Sequence, residues 1–171
     1  MPAIHGEYDL FAGDRQQEGV VDLDSIVVFR LGSQKYGVPI GSVKEIIPCS
    51  DITPAPGTPP WFLGFMNVRG DLVPVVSLTR YIGMEYQTCN GMERILILMS
   101  ERGTRRGFQA DEVTSIEPFS PDDIQSVRDR GNGSGFPREL IKGVSDTGKE
   151  LVVVLDVERL LAGEGVEDET A

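Results

Sequence analysis

The sequence predicts an all-β protein of two five-stranded lobes packed together, with short helical turns. Three observations carry that reading. From Ser25 onward, short β-rich runs alternate with Gly/Pro punctuation, in a chain that holds 20 Gly and 11 Pro. The spacing of the first half recurs in the second. Helical pattern is confined to one-turn pieces. A length of 171 residues fits one domain, or two small lobes sharing a core.

The first half supplies candidate strands at 26–31, 35–39, 43–48, 64–68 and 72–78. The second supplies 94–99, 106–110, 113–118, 141–145 and 150–155. Turn chemistry separates them, with Gly32-Ser33-Gln34, Arg69-Gly70-Asp71, Glu101-Arg102-Gly103 and Asp146-Thr147-Gly148 each between apolar runs. Pro54, Pro56, Pro59 and Pro60 stiffen the link from the third strand to the fourth, because proline fixes φ and removes a donor. Single helical turns are expected at 79–82 and 157–161.

The halves align with each other. A shift of 79 positions matches Gly64 with Gly143, Leu72 with Leu151, Val73 with Val152, Val75 with Val154 and Arg80 with Arg159. A shift of 70 matches Gly37 with Gly107, Val43 with Val113 and Ile46 with Ile116. The difference between the shifts falls in the loop 128–138. Shared Val, Leu and Gly composition is one explanation. The sharper one is two similar five-stranded barrels, each too small for a generous core and packed against the other.

The net charge of −11 sits mostly at the ends. Residues 1–24 hold six acids against Arg15 alone, and residues 162–171 hold four acids and no base. Residues 25–161 then carry 17 acids and 15 bases. The expected organisation is an acidic leader (1–24), a body (25–161) of two lobes interleaved at their boundaries, and an acidic tail (162–171), with both ends flexible. A nucleic-acid-binding protein needs a basic stripe to meet phosphates, and the body has none.

Residue counts remove further chemistry. His5 is the single histidine and lies in the leader, which nearly excludes a Ser-His-Asp or Cys-His nucleophile. Cys49 and Cys89 are isolated, so no zinc framework is expected and the compartment reads as reducing. The longest uncharged apolar runs, 151–155 and 95–99, have five residues, against about 20 for a membrane span. The opening MPAIHGEYDLFAGD has no basic segment followed by an apolar stretch, so a cytoplasmic location is expected.

The most informative stretch is 54–78, PAPGTPPWFLGFMNVRGDLVPVVSL. A tight turn explains Gly70, and Asn67 suits its shoulder. It does not explain an arginine between Val68 and Gly70. A solvated turn residue is one reading of Arg69, and a contact residue is the other.

The ordered series of motifs resembles the CheW-type chemotaxis coupling proteins, or adaptors. It runs through Phe29-Arg30-Leu31-Gly32, Tyr36-Gly37-Val38-Pro39-Ile40 and Val43-Lys44-Glu45-Ile46 to Gly64…Asn67-Val68-Arg69-Gly70 and Val73-Pro74-Val75-Val76-Ser77-Leu78. It continues through Gly107…Ala110-Asp111-Glu112-Val113, Ile141-Lys142-Gly143-Val144 and Leu155-Asp156. Ser77 departs from the acidic residue usual in that family.

The resemblance implies a pair of five-stranded SH3-like β-barrels without catalytic activity, cofactor or metal. It implies an adaptor between the cytoplasmic tip of a methyl-accepting chemoreceptor and the regulatory domain of a chemotaxis-type histidine kinase, recruited to membrane-associated receptor arrays without membrane insertion. Carried over residue by residue, Val43, Glu45 and Ile46 match a strand edge lining the receptor groove. Asn67, Arg69 and Gly70 match a polar signature beside it, and Glu45 and Arg69 are expected to pair. The same coupling domain in a surface-motility or developmental pathway is the nearest alternative. An enzyme on two barrels would need a cleft with perturbed acid/base groups, Glu45, Asp111 and Asp156 being the candidates.

Other patterns carry little. Residues 131–135 (GNGSG) lack the third glycine of a dinucleotide loop and the Gly-Lys of a P-loop. Arg69-Gly70-Asp71 reads as a turn. Asp122 and Asp123 follow Pro121 and begin a turn of helix.

Overall fold

The computed structural model describes residues 25–84, 90–126 and 136–163. The acidic leader, residues 164–171 of the tail, His5, Cys89 and the 131–135 loop lie outside the described residues.

All ten expected strands form: β1 (Ser25–Leu31), β2 (Gln34–Pro39), β3 (Val43–Pro48), β4 (Phe62–Val68), β5 (Asp71–Ser77), β6 (Arg94–Met99), β7 (Arg105–Ala110), β8 (Glu112–Pro118), β9 (Ile141–Asp146) and β10 (Leu151–Leu155). Both helical turns form as well, α1 (Leu78–Tyr81) and α2 (Val157–Leu161). Ser77 accepts the Arg80 N–H as N-cap of α1, and Asp156 accepts the Arg159 N–H as N-cap of α2. The two caps are related by the 79-residue shift, so the departure at Ser77 keeps the capping chemistry and drops the charge.

The strands form two five-stranded sheets, ordered β8-β1-β2-β10-β9 and β3-β6-β7-β5-β4. Neither sheet is one half of the chain. Each half lends its first two strands to the sheet that holds the last three strands of the other half. The two five-stranded lobes are therefore sheets built by reciprocal exchange of strands between the halves. Among the described residues no continuous ladder closes either sheet into a barrel. Isolated bridges hold the outer strands instead, Thr53 to Phe65 beside β4 and Gln125 to Val144 beside β9.

The internal repeat survives in the register. β5 pairs parallel with β7 through Val75 and Gly107, and β10 pairs parallel with β2 through Val154 and Gly37. Those two contacts interchange under the 79- and 70-residue shifts. Register breaks match as well, between Val43 and Glu45 against β6 and between Val28 and Phe29 where β8 runs along β1.

Burial explains why the strands read as unbroken apolar runs. Val27, Phe29, Leu96 and Leu98 enter the core shared by the two sheets. Their neighbours Ile95 and Ile97 face a second cluster with Val73 and Val75, while Ile26 and Val28 face a third with Val152 and Val154. Both faces of each central strand are covered, so period-two alternation disappears. Gly37 and Gly107 serve packing here. A Cβ at Gly37 would run into Ile26 and Val152, and one at Gly107 into Ile95 and Ile97.

Tyr36 is buried in the shared core, with its ring 5.2 Å from Phe136. Burial pushes its hydroxyl pKa up to about 12, because desolvation disfavours the phenolate. A raised acid pKa leaves stability intact below the unfolded value near 10 and removes it as pH climbs toward 12. Alkaline titration should therefore show one tyrosine ionising late, together with loss of the fold, and Tyr36→Phe should move the alkaline unfolding midpoint upward. An unmoved midpoint would contradict this assignment.

Gly64 and Gly70 both have positive φ, at 135° and 91°. A Cβ on Gly64 would collide with the backbone carbonyl of Thr53, whereas one on Gly70 meets open space. Gly70→Ala should cost about 1–2 kcal/mol in urea unfolding. Gly64→Ala should cost at least about 1 kcal/mol more, as an overpacked contact; equal losses would show that the Thr53 bridge yields freely.

Candidate functional site

The candidate site is a clasp between the two edges of the β3-β6-β7-β5-β4 sheet. β3 lies at one edge, and the β4–β5 hairpin lies at the other. The sheet curls enough for Arg69 in the hairpin turn to reach Glu45 on β3. Arg69 Nε donates to Glu45 Oε2 at 2.9 Å and Nη2 donates to Oε1 at 3.3 Å, a bidentate pair in the geometry that suits guanidinium and carboxylate.

The turn is built for this reach. β4 ends at Val68 and β5 begins at Asp71, with those two residues paired. The two residues between them, Arg69 at φ 52° and Gly70 at φ 91°, both adopt positive φ, as a two-residue type I′ hairpin requires. Glycine does this freely and arginine does not. Asn67 Oδ1 accepts the Gly70 N–H at 3.0 Å and holds the turn from its shoulder. Arg105 Nη2 donates to Asp71 Oδ2 at 2.6 Å and ties the far side of the turn to β7.

The structure brings four of the six sequence-selected residues together at the surface: Glu45, Asn67, Arg69 and Gly70. Val43 and Ile46 lie on the expected edge strand, but their side chains are 1% and 4% exposed and belong to the shared core. They hold β3 in place and present no surface to a partner. The sequence selection passed over Leu72, which is 70% exposed, and Phe65, both beside the same hairpin. Nothing in the apolar run from Leu72 to Leu78 distinguishes the outward residue from the inward ones.

A counterpart exists in the other sheet. Asp146 Oδ1 accepts the Gly148 N–H in the β9–β10 turn, and Lys149 Nζ reaches Glu117 Oε2 on β8 at 3.3 Å. A hydrogen bond from Ser115 and the Lys149 ammonium lower the Glu117 pKa. The 79-residue shift places Asn67 on Asp146 and Gly70 on Lys149, so the repeat itself pointed to this second clasp.

The three acids considered for catalysis are each committed elsewhere. Glu45 pairs with Arg69; Asp111 accepts from the Gly32 N–H and the Thr79 hydroxyl; Asp156 caps α2. Among the described residues no group of His, Cys, Asp and Glu is placed to hold a metal ion, and no helix is long and apolar enough to cross a membrane.

A two-lobed β protein whose exposed polar geometry is a charged clasp rather than an acid/base cleft belongs to the class of binding scaffolds. Residues 25–165 match the CheW-like domain, and the chain belongs to that family. It is 28% identical over 140 residues to the chemotaxis protein CheW of Treponema pallidum, covering 80% of this chain and 81% of that one. It is 28% identical over 150 residues to the chemotaxis protein CheW of Helicobacter pylori, covering 88% of each. The crystal structure of scaffolding protein TtCheW from Thermoanaerobacter tengcongensis superimposes with a TM-score of 0.70 at 25% identity, over 80% of this chain and 86% of that one. The protein is a CheW-type chemotaxis scaffold, and scaffold proteins of this family are non-enzymatic.

Arg69 has a side chain 79% exposed and Glu45 one 24% exposed, so their pair is worth only ~0–1 kcal/mol to folding. A double-mutant cycle of Arg69→Ala and Glu45→Ala should give a coupling inside that range and smaller at high salt. A coupling above about 2 kcal/mol would mean that the clasp holds the sheet closed rather than marking its surface.

Proposed function

We infer that this chain couples the cytoplasmic tip of a chemoreceptor to the regulatory domain of a chemotaxis-type histidine kinase, working by binding alone. The observation that carries this reading is Arg69, held at positive φ and clasped to Glu45 on an exposed sheet edge within a CheW-type scaffold. The clasp adds little to stability, and its value lies in orientation and partner choice. Glu45, Asn67, Arg69 and Gly70 form the contact surface. Val43 and Ile46 act from beneath it by setting the path of β3. Apolar contact from Leu72 and Phe65 supplies affinity beside the charges.

The chain then acts in the cytoplasm and reaches membrane-associated arrays through the receptor. The acidic ends, 1–24 and 162–171, discourage nonspecific association with other polyanions. Neither a nucleic acid nor the bilayer is a partner in this reading.

Arg69→Glu places two carboxylates opposite each other and should lower receptor-dependent kinase activation at least about tenfold in a reconstituted assay, a change of ~1.4 kcal/mol in coupling, with an unchanged melting curve. Full activation by a normally folded variant would remove Arg69 from the contact surface.

A further inference from the structure

The strand register gathers positive charge at one end of the β3-β6-β7-β5-β4 sheet. β3 starts there opposite the end of β6, since Val43 pairs with Leu98, and β7 starts there, since Met99 pairs with Arg105. The β4–β5 turn lies at the same end, because β5 runs parallel to β7 and starts beside it. Lys44, Arg69, Arg102, Arg105 and Arg106 are thereby brought together from separate stretches of the chain. The acids of this sheet end are fewer: Glu45 accepts from Arg69, Asp71 accepts from Arg105, and Glu101 lies in the β6–β7 turn. Lys44 and Arg102 are exposed beside those pairs, and Leu72 adds an exposed apolar spot. A positive end is unlike the body as a whole, which carries more acids than bases.

One acidic segment of the chain starts next to this end. Glu158, in the first turn of α2, accepts the Glu101 N–H on Oε2 at 3.0 Å, so α2 abuts the β6–β7 turn that carries Arg102. The Ala162 N–H donates to the Glu158 carbonyl, which puts the end of α2 one helical turn, about 5.4 Å, beyond that contact. Gly163, at φ 78°, then ends the helix and turns the chain aside. Residues 164–171 follow, with Glu164, Glu167, Asp168 and Glu169, no base, and Val166 among them. Extended, a segment of that length spans about 26 Å. The β4–β5 turn is about two strand spacings, ~10 Å, from the β6–β7 turn. The leader has the same sign but joins elsewhere, at Ser25 beside Pro118 in the other sheet.

We propose that segment 164–171 folds back along this end of the sheet, sets its carboxylates among Arg102, Arg105 and Arg69, and covers the Arg69 turn. Exposed ion pairs are individually weak. Several carboxylates tethered beside their partners act at high effective concentration, and that lets weak pairs hold the segment in place. Val166 rests beside Leu72. A partner that uses the Arg69 turn has to displace this segment first. The contact lies within the chain and does not depend on the receptor-and-kinase reading.

The test compares amide NMR spectra of the isotopically labelled full chain and of a full-length variant with the segment neutralised, Glu164→Gln/Glu167→Gln/Asp168→Asn/Glu169→Gln. At about 20 mM salt the amides of Arg69, Arg102, Gly103 and Arg105 should differ between the two proteins. Raising the salt to about 0.5 M should move the parent's signals toward the variant's positions and leave the variant's nearly in place, because screening releases a charged contact. Arg102→Gln should in turn shift the amides of Val166 and Glu167. Identical body spectra at low salt, or differences confined to α2 and Gly163, would overturn the proposal. So would differences that grow with protein concentration, which would put the segment on a second copy. The same displacement at Arg69 and Arg102 on neutralising the acids of residues 1–24, with none on neutralising the tail, would assign the surface to the leader and overturn it as well.

Discussion

Pairings between the two halves hold the molecule together, the antiparallel ladders β1–β8 and β3–β6 and two short parallel ones. Val75 lies against Gly107 and Val154 against Gly37, and through them each half of the chain is locked into the sheet of the other. Neither half can complete a sheet alone, because β1 and β2 have their neighbours β8 and β10 in the other half, as β6 and β7 have β3 and β5. Glycine stands at both contact points because a Cβ there would meet packed side chains, Ile26 and Val152 at Gly37 and Ile95 and Ile97 at Gly107. Those glycines also admit the isoleucines and valines that cover the outer faces of the sheets. Such non-local pairing carries a loop-closure cost before any contact forms, and the large shared core offsets it.

The site follows from that architecture. A sheet that begins at β3 and ends at β4 must curl to cover Ile95 and Ile97 on one face while packing Leu96 and Leu98 on the other. Curling brings its edges near each other, and Arg69 spans the remaining gap to Glu45. The other sheet solves the same problem with Lys149 and Glu117. These clasps contribute little to stability, yet they place charged groups at defined positions on the sheet edges. The site therefore uses surface geometry that the fold produces for its own reasons. The junction between the sheets obeys the same logic, with Asp111 accepting the Gly32 N–H on one side and Glu158 accepting the Glu101 N–H on the other.

Much of the fold was legible in the sequence. Strands, turns and helical caps depend on local chemistry, and the turn at Arg69-Gly70 carried its own signature in Asn67 and Gly70. The repeat was legible as well, since Gly37, Gly64 and their partners answer to the same local constraints twice. The path of the strand exchange was not legible, because an internal repeat records which segments are alike and says nothing of which sheet each joins. Val43 and Ile46 show the same limit within one strand. β3 sets Lys44 and Glu45 between Val43 and Ile46, and that pattern does not say whether an apolar residue packs into the core or meets a partner.

The sequence by itself determined the elements and the CheW-type resemblance, which implied the Glu45–Arg69 pair. These rest on residues close in the chain, or on charges that suit each other. The tertiary structure decided the strand exchange between halves, the burial of Val43 and Ile46, the exposure of Leu72 and the closing of the Glu45–Arg69 clasp. Each of these depends on which distant segment fills the neighbouring space, and packing between distant segments is settled only when the whole chain is in place.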